Sequence, residues 1–131
     1  MKTNDLKNVE NFLRLLPPRP RIMPNFAQRF KTTDQMPQYL VLLRPPRGNF
    51  LETITEREQQ LAAEHFYYYR ELLAQKKLFL AGRCEDASLG IGIMVAENEK
   101  QVRSFVDADP AVMGGMFEAE IKEFRVALVE Q

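Results

Sequence analysis

One cysteine, one histidine, no net charge and no long apolar run are what this 131-residue chain has little of, and each shortage excludes something. Cys84 has no second cysteine to bond with, so an internal disulfide is excluded and a reducing compartment is expected. His65 also stands alone, and no ligand spacing joins it to carboxylates, so a transition-metal site is not expected. The purest apolar run, Tyr39 to Leu43, falls far short of the roughly 20 residues that a spanning helix needs, so no membrane partner is expected. No basic start, apolar stretch and small-residue cleavage site follow one another as in a signal peptide, and the cytoplasm is the expected location. Eighteen Lys and Arg balance eighteen Asp and Glu, which removes the global electrostatic case for nucleic acid.

What is present is the composition of a folded domain, 45% apolar and 27% charged. The charge is unevenly placed. Residues 1–36 carry seven basic against three acidic side chains, a net of +4, and residues 37–131 carry eleven against fifteen, a net of −4. Four of the eight prolines also fall in the first stretch. The chain therefore reads as a basic, proline-containing extension (1–36) followed by one compact domain (37–131). In the extension, Leu6, Val9, Phe12, Leu13 and Leu16 recur at helical spacing, and Pro17-Pro18 ends the short helix they imply.

The domain opens with a β-type run, Gln38 to Arg44, closed by Pro45-Pro46 and Gly48. Thr55-Glu-Arg-Glu58 is a capping box that starts a helix running to about Lys76. Its expected buried stripe is Leu61, Ala62, His65, Phe66, Tyr69, Leu72 and Leu73. Leu78 to Ala81 and Leu89 to Ala96 read as two further strands, the first ending near Gly82. Asn98 caps a shorter helix with Val102, Phe105 and Val106 inward, and Asp109-Pro110 breaks it. The last strand is expected from Met116 to Leu128, with a bulge at Glu123-Phe124 where its alternation inverts.

The order βαββαβ is the ferredoxin-like plan, an α+β fold with a four-stranded antiparallel sheet. Strands one and three are apolar on both sides, through Leu40 and Leu42 in the first and Ile91, Ile93 and Val95 in the third. The sheet face away from the helices therefore needs a cover. A second copy of the chain, making a homodimer through this face, and the amino-terminal helix are the two candidates.

His65 suits acid–base work near neutral pH if a carboxylate fixes its tautomer, although a lone histidine is more often structural. Two aspartates compete for that role. Asp109, ahead of Pro110, also has the pattern of a cap on the turn from Ala111 to Gly114. Asp86 lies in the turn after the second strand. Tyr68 is a candidate pocket residue and Tyr69 a core residue, since neighbours on a helix point in different directions. Gly90 and Gly92 fall inside a strand, where glycine allows another group to come close.

Residues 38–129 resemble the YCII-related family. The similarity rests on Tyr-Leu-Val-Leu-Leu-Arg-Pro-Pro-Arg47 at the first strand and Glu64-His65 followed by Tyr67 to Leu73 in the first helix. It continues in Leu78-Phe-Leu-Ala-Gly-Arg-Cys-Glu-Asp86, in Gly90-Ile-Gly-Ile-Met-Val95 and, most specifically, in Ala108-Asp-Pro-Ala-Val-Met-Gly-Gly-Met-Phe117. The resemblance implies a ferredoxin-like domain that dimerises into an α/β barrel, with His65 and Asp109 as its histidine–aspartate pair and Asp86 as the second-choice acid. It implies an unidentified small-molecule ligand without fixing which, because few members of the family have an assigned reaction, a ring dehydrochlorinase among them. Arg83 and Cys84 depart from the family's proline-led turn. With no cofactor motif in the chain, lyase, isomerase or dehydrohalogenase chemistry is the expected kind. Arg83 or Arg44 would then hold an anionic group and Tyr68 would line the pocket. The alternative is a non-catalytic dimeric binding or accessory module with a structural histidine.

Overall fold

The computed structural model describes residues 36–130, and the helix expected from Leu6 to Leu16 lies outside the described residues. Strand β1 (Gln38–Arg44) leads through a four-residue helix, α1 (Phe50–Thr53), into the long helix α2 (Glu56–Ala74). Strands β2 (Leu78–Arg83) and β3 (Gly90–Val95) follow. Helix α3 (Glu99–Asp107), the single turn α4 (Pro110–Met113) and strand β4 (Glu118–Phe124) complete the order. The strands lie in the order β2-β3-β1-β4, and each neighbouring pair is antiparallel. This is the ferredoxin-like α+β arrangement. No helix among the described residues is long and apolar enough to cross a membrane.

Alternation along the strands decides what each face carries. Tyr39, Val41 and Leu43 of β1 and Met94 of β3 share one face, where they form the main core with Tyr69 and Leu72 of α2 and Val102 and Val106 of α3. Both long helices therefore cover that face. Leu73 was part of the expected stripe on α2, but it is exposed. It lies about 100° round the helix from Leu72, which already completes the inward line.

A web of polar contacts fixes the start of α2. The Thr55 hydroxyl accepts from the Glu58 amide at 3.1 Å, and the Thr55 amide donates to the Glu58 carboxylate at 2.9 Å. The same carboxylate accepts two bonds from the Arg47 guanidinium, at 2.7 and 2.8 Å, while Arg47 also donates to the Thr53 carbonyl and hydroxyl. Arg47 thereby ties the loop after β1, helix α1 and the cap of α2 together. The far end of α2 closes with Lys76 in a left-handed conformation, φ 62°. The Lys76 and Lys77 amides there return to the Leu73 and Leu72 carbonyls, the pattern of a Schellman cap.

The last strand is shorter than expected. β4 stops at Phe124 and keeps an unshifted register against β1 through that residue, so no bulge is needed there. The alternation inverts because the chain leaves the strand. The Val126 amide donates to the Gln38 side-chain carbonyl at 2.8 Å, and Val126 and Val129 pack on Phe79, Ile93 and Val95. The carboxyl-terminal tail thus covers part of the sheet face opposite the helices. The register shift of this sheet lies instead in β2, between Leu78 and Leu80.

The Arg47 bonds, foremost among several causes, hold the Glu58 carboxyl at about 2, below the ordinary 4.5. A depressed carboxyl value stabilises the folded state at pH above the ordinary value, and the contribution disappears as pH falls through the depressed one. Glu58→Gln is expected to lower stability at neutral pH by about 1–2 kcal/mol, through loss of the charged cap partner. The gap between wild type and variant should narrow as pH falls from about 4.5 to about 2. Urea unfolding of both proteins across that range checks it, and a gap independent of pH would contradict it.

Candidate active site

The site forms where α4 docks against α2. Gly114, just after α4, sits so close to α2 that a side-chain carbon there would lie 2.8 Å from both methyl groups of Leu61. The Arg57 guanidinium adds a bond to the Gly114 carbonyl at 3.1 Å. One turn along α2 from Leu61 is His65, and at the start of α4 is Asp109. Close docking of these two elements brings the two side chains together.

His65 Nδ1 and Asp109 Oδ2 are 2.7 Å apart. Asp109 is fully buried, and its other oxygen, Oδ1, accepts the Ala111 amide at 2.9 Å as the cap of α4. The capping and pairing readings of Asp109 are therefore both satisfied, one by each oxygen. A carboxylate only accepts, so the proton of the shared bond lies on Nδ1 and the free lone pair of the ring lies on Nε2. The His65 side chain is 16% exposed against 1% for Asp109, so the pair has one buried end and one end that solvent reaches.

Two rings frame the imidazole. Tyr69, one turn along α2, lies 4.2 Å away between centroids, and Phe117 meets it edge-on at 5.2 Å. The Tyr69 hydroxyl is buried with no hydrogen-bond partner among the described residues, a situation that costs about 1–3 kcal/mol. Burial, then the Asp109 charge and then Tyr68, push its phenol far above the ordinary range, so it stays protonated.

The other candidates lie elsewhere or are occupied. The Tyr68 hydroxyl donates to the Phe105 carbonyl at 2.6 Å and ties α2 to α3. Burial first and Asp109 second raise its phenol above the usual value. Arg44 pairs with Glu120 at 3.0 Å on the sheet face away from His65, because even-numbered β1 residues point outward. Arg83 donates to the Cys84 and Glu85 carbonyls and so braces its own turn. Asp86 accepts the Ser88 amide in the same turn, and the Ser88 side chain first and that amide second hold its carboxyl below the ordinary range. None of these four side chains hydrogen-bonds to His65 or Asp109. Tyr69 and Phe117 are the neighbours of His65 that residue-by-residue reading did not assign to the site. The i to i+4 spacing from His65 to Tyr69 was the available signal. Among the described residues no three His, Cys, Asp or Glu side chains cluster as a metal site would need.

Fold and site together define a ferredoxin-like α+β domain with a buried carboxylate bonded to a partly exposed imidazole. The model of the YCII-related domain matches residues 38–125, and the chain belongs to the YCII-related family. Among solved structures it is similar to the 5-chloro-2-hydroxyhydroquinone dehydrochlorinase of Burkholderia phenoliruptrix in complex with 2,5-dihydroxybenzoquinone. That similarity has a TM-score of 0.53 and 23% sequence identity, over 68% of this chain and 95% of that one, and it supports the shared fold. No curated protein sequence matches this chain.

The double role of Asp109 separates two substitutions. Asp109→Ala removes the cap and strands the Nδ1 proton, and is expected to cost about 1–3 kcal/mol in urea unfolding. Asp109→Asn keeps an oxygen for the Ala111 amide and is expected to cost less. Nitrogen-15 spectra of neutral His65 should show the Nδ1–H tautomer in the wild type and a mixture in Asp109→Ala. Equal stability losses for the two variants, or a wild-type Nε2–H tautomer, would contradict this assignment.

Proposed function

We propose that the protein binds a small polar or cyclic molecule and moves a proton on it, with His65 Nε2 as the acid–base atom. The observation that carries this reading is the 2.7 Å bond between a buried aspartate and a partly exposed histidine. Asp109 fixes the tautomer and orientation of the ring and stabilises the imidazolium that forms when Nε2 takes a proton. Family membership and the dehydrochlorinase of similar fold support loss of a proton and a chloride from a chlorinated, hydroxylated ring as the first reaction to test. In that reaction one ring-hydroxyl proton first moves to the chlorine-bearing carbon, giving the keto tautomer. Nε2 then accepts a second hydroxyl proton, whose O–H electrons form a carbonyl as a ring double bond shifts and the C–Cl bond breaks to release chloride. Lyase and isomerase steps that begin with the same proton transfer belong to the same class.

The composition and the single cysteine support the cytoplasm as its compartment. A second copy of the chain is the proposed partner, seated on the outer sheet face. Leu40, Leu42 and Ile91 lie there half-buried and Leu80 is exposed, while the tail of the chain packs around Phe79, Ile93 and Val95. Sedimentation at micromolar concentration is expected to give twice the chain mass. A species of one chain mass alone would remove the dimer and leave the site reading untouched.

Turnover of 5-chloro-2-hydroxyhydroquinone, followed by chloride release, tests the chemistry. His65→Gln is expected to lower the rate by about 10²–10⁴-fold, the usual contribution of a positioned general base. Asp109→Asn should lower it with little change in KM, because it acts through the histidine. Equal rates for wild type and His65→Gln would overturn the proposal.

A further inference from the structure

Asp109 reaches His65 because of where its backbone runs, and two side chains of α2 hold that backbone, one on each side of the aspartate. A helix continuing past Phe105 would bond the Phe105 carbonyl to the amide four residues on, which is that of Asp109. Here that amide turns instead to the Val106 carbonyl at 3.1 Å, and Asp109 itself is extended, with φ −66° and ψ 123°. The vacated Phe105 carbonyl takes the Tyr68 hydroxyl at 2.6 Å. Tyr68 thus stands in for the Asp109 amide, and α3 ends where the aspartate has to turn toward α2. On the other side, Gly114 closes α4, and its carbonyl takes the Arg57 guanidinium at 3.1 Å. Arg57, Leu61, His65 and Tyr68 follow one another along α2 at helical spacing, so they share one face of it. The segment from Phe105 to Gly114 runs back along this face, with Asp109 between the two anchors.

We propose that Tyr68 and Arg57 are positioning residues for the pair: by fixing Phe105 and Gly114 against α2, they hold Asp109 Oδ2 at 2.7 Å from His65 Nδ1. The aspartate does not do this alone. Its Oδ1 bond to the Ala111 amide lies inside the α4 turn, so it shapes the turn without locating it on α2. The bond of the pair itself joins the two elements at one point, about which α4 is free to pivot. Anchors on both sides of that point remove the pivot. Tyr68 and Arg57 act through Asp109 and its backbone, and a misplacement of about 1 Å so transmitted costs on the order of 10²-fold in rate. Losing one anchor of the two is expected to cost about tenfold. Their effect on turnover rests on the acid–base reading of His65, while their effect on the bond does not.

The first test needs no substrate and uses the full chain labelled with nitrogen-15. The Nδ1 proton of His65, in a short bond to a buried carboxylate, is expected to give a downfield resonance that exchanges slowly with water. Tyr68→Phe keeps the ring and removes the hydroxyl, and Arg57→Met keeps the stem and removes the donor. Each is expected to move the resonance upfield and to speed its exchange, and Arg57→Lys, which restores a donor, to recover most of the wild-type signal. A purely structural role would lower the melting temperature and leave the resonance of the folded protein where it was. An unmoved resonance in one variant would therefore remove that residue, and in both would overturn the proposal. So would a wild type without such a resonance, because the bond would then not be held. Turnover of 5-chloro-2-hydroxyhydroquinone gives the second readout, in which both variants are expected to lower kcat about tenfold with KM unchanged. Wild-type kcat in both, beside a slow His65→Gln, would remove the two residues from the reaction. If His65→Gln is as fast as the wild type, the acid–base reading falls, and the resonance still decides whether Tyr68 and Arg57 hold the pair.

Discussion

A carboxylate taken wholly out of water is tolerated only when both of its oxygens find donors, and the buried Asp109 meets that condition with one donor from each direction. Ala111, two residues on, supplies the first and fixes α4 as a helical turn. His65, on a different helix, supplies the second and fixes how α4 sits against α2. The contact of Gly114 with Leu61 is the packing counterpart of the same constraint, since a side chain at 114 would require the Leu61 methyl groups to move. Local structure, packing and the orientation of the imidazole thus hang on one side chain. The charge also reaches further, because it opposes ionisation of both Tyr68 and Tyr69.

Much of the fold was legible because its signals are local. Thr55 and Glu58 announced the start of α2 through backbone amides that only a cap can satisfy, and Asn98 did the same for α3. Alternation in β1 and β3 gave both faces of the sheet. The misreadings came where a distant contact overrides a local pattern. The run after Phe124 looks like a strand with a bulge, yet Gln38, far away in sequence, draws Val126 out of it. Arg47 gave no sign of its role. A lone arginine in a proline-rich loop does not say that a glutamate 11 residues on will accept two bonds from it.

The site was legible in part for the same reason. Histidine and aspartate could be matched as a pair through the order of the elements around them, and the geometry joins those two. Of the accessory candidates, Arg44 lies on the sheet face away from His65. Arg44 differs from Leu43 by one position, and in a strand one position is the whole difference between the helix side and the outer side. Tyr68 and Tyr69 differ by one position on a helix, about 100°, and that rotation sends one hydroxyl to the α3 backbone and the other over β3. Periodicity places a side chain on a face, but which neighbour it meets there depends on the crossing of elements that no single segment encodes.

The tail that follows β4 behaves, by this structure, as a separate small unit of stability. Residues after Phe124 hold on by the Gln38 bond and by two valines, while β3 beneath them is laddered on both sides and the edge strand β2 on one. A segment with so few contacts opens without unfolding the rest, so its amides exchange with solvent long before those of β1. Each opening uncovers Phe79, Ile93 and Val95 on the outer face. The last residues of the chain thus act as a cover for part of its own apolar outer face, and loosening of that cover is expected to expose apolar surface without disturbing the helix-side core.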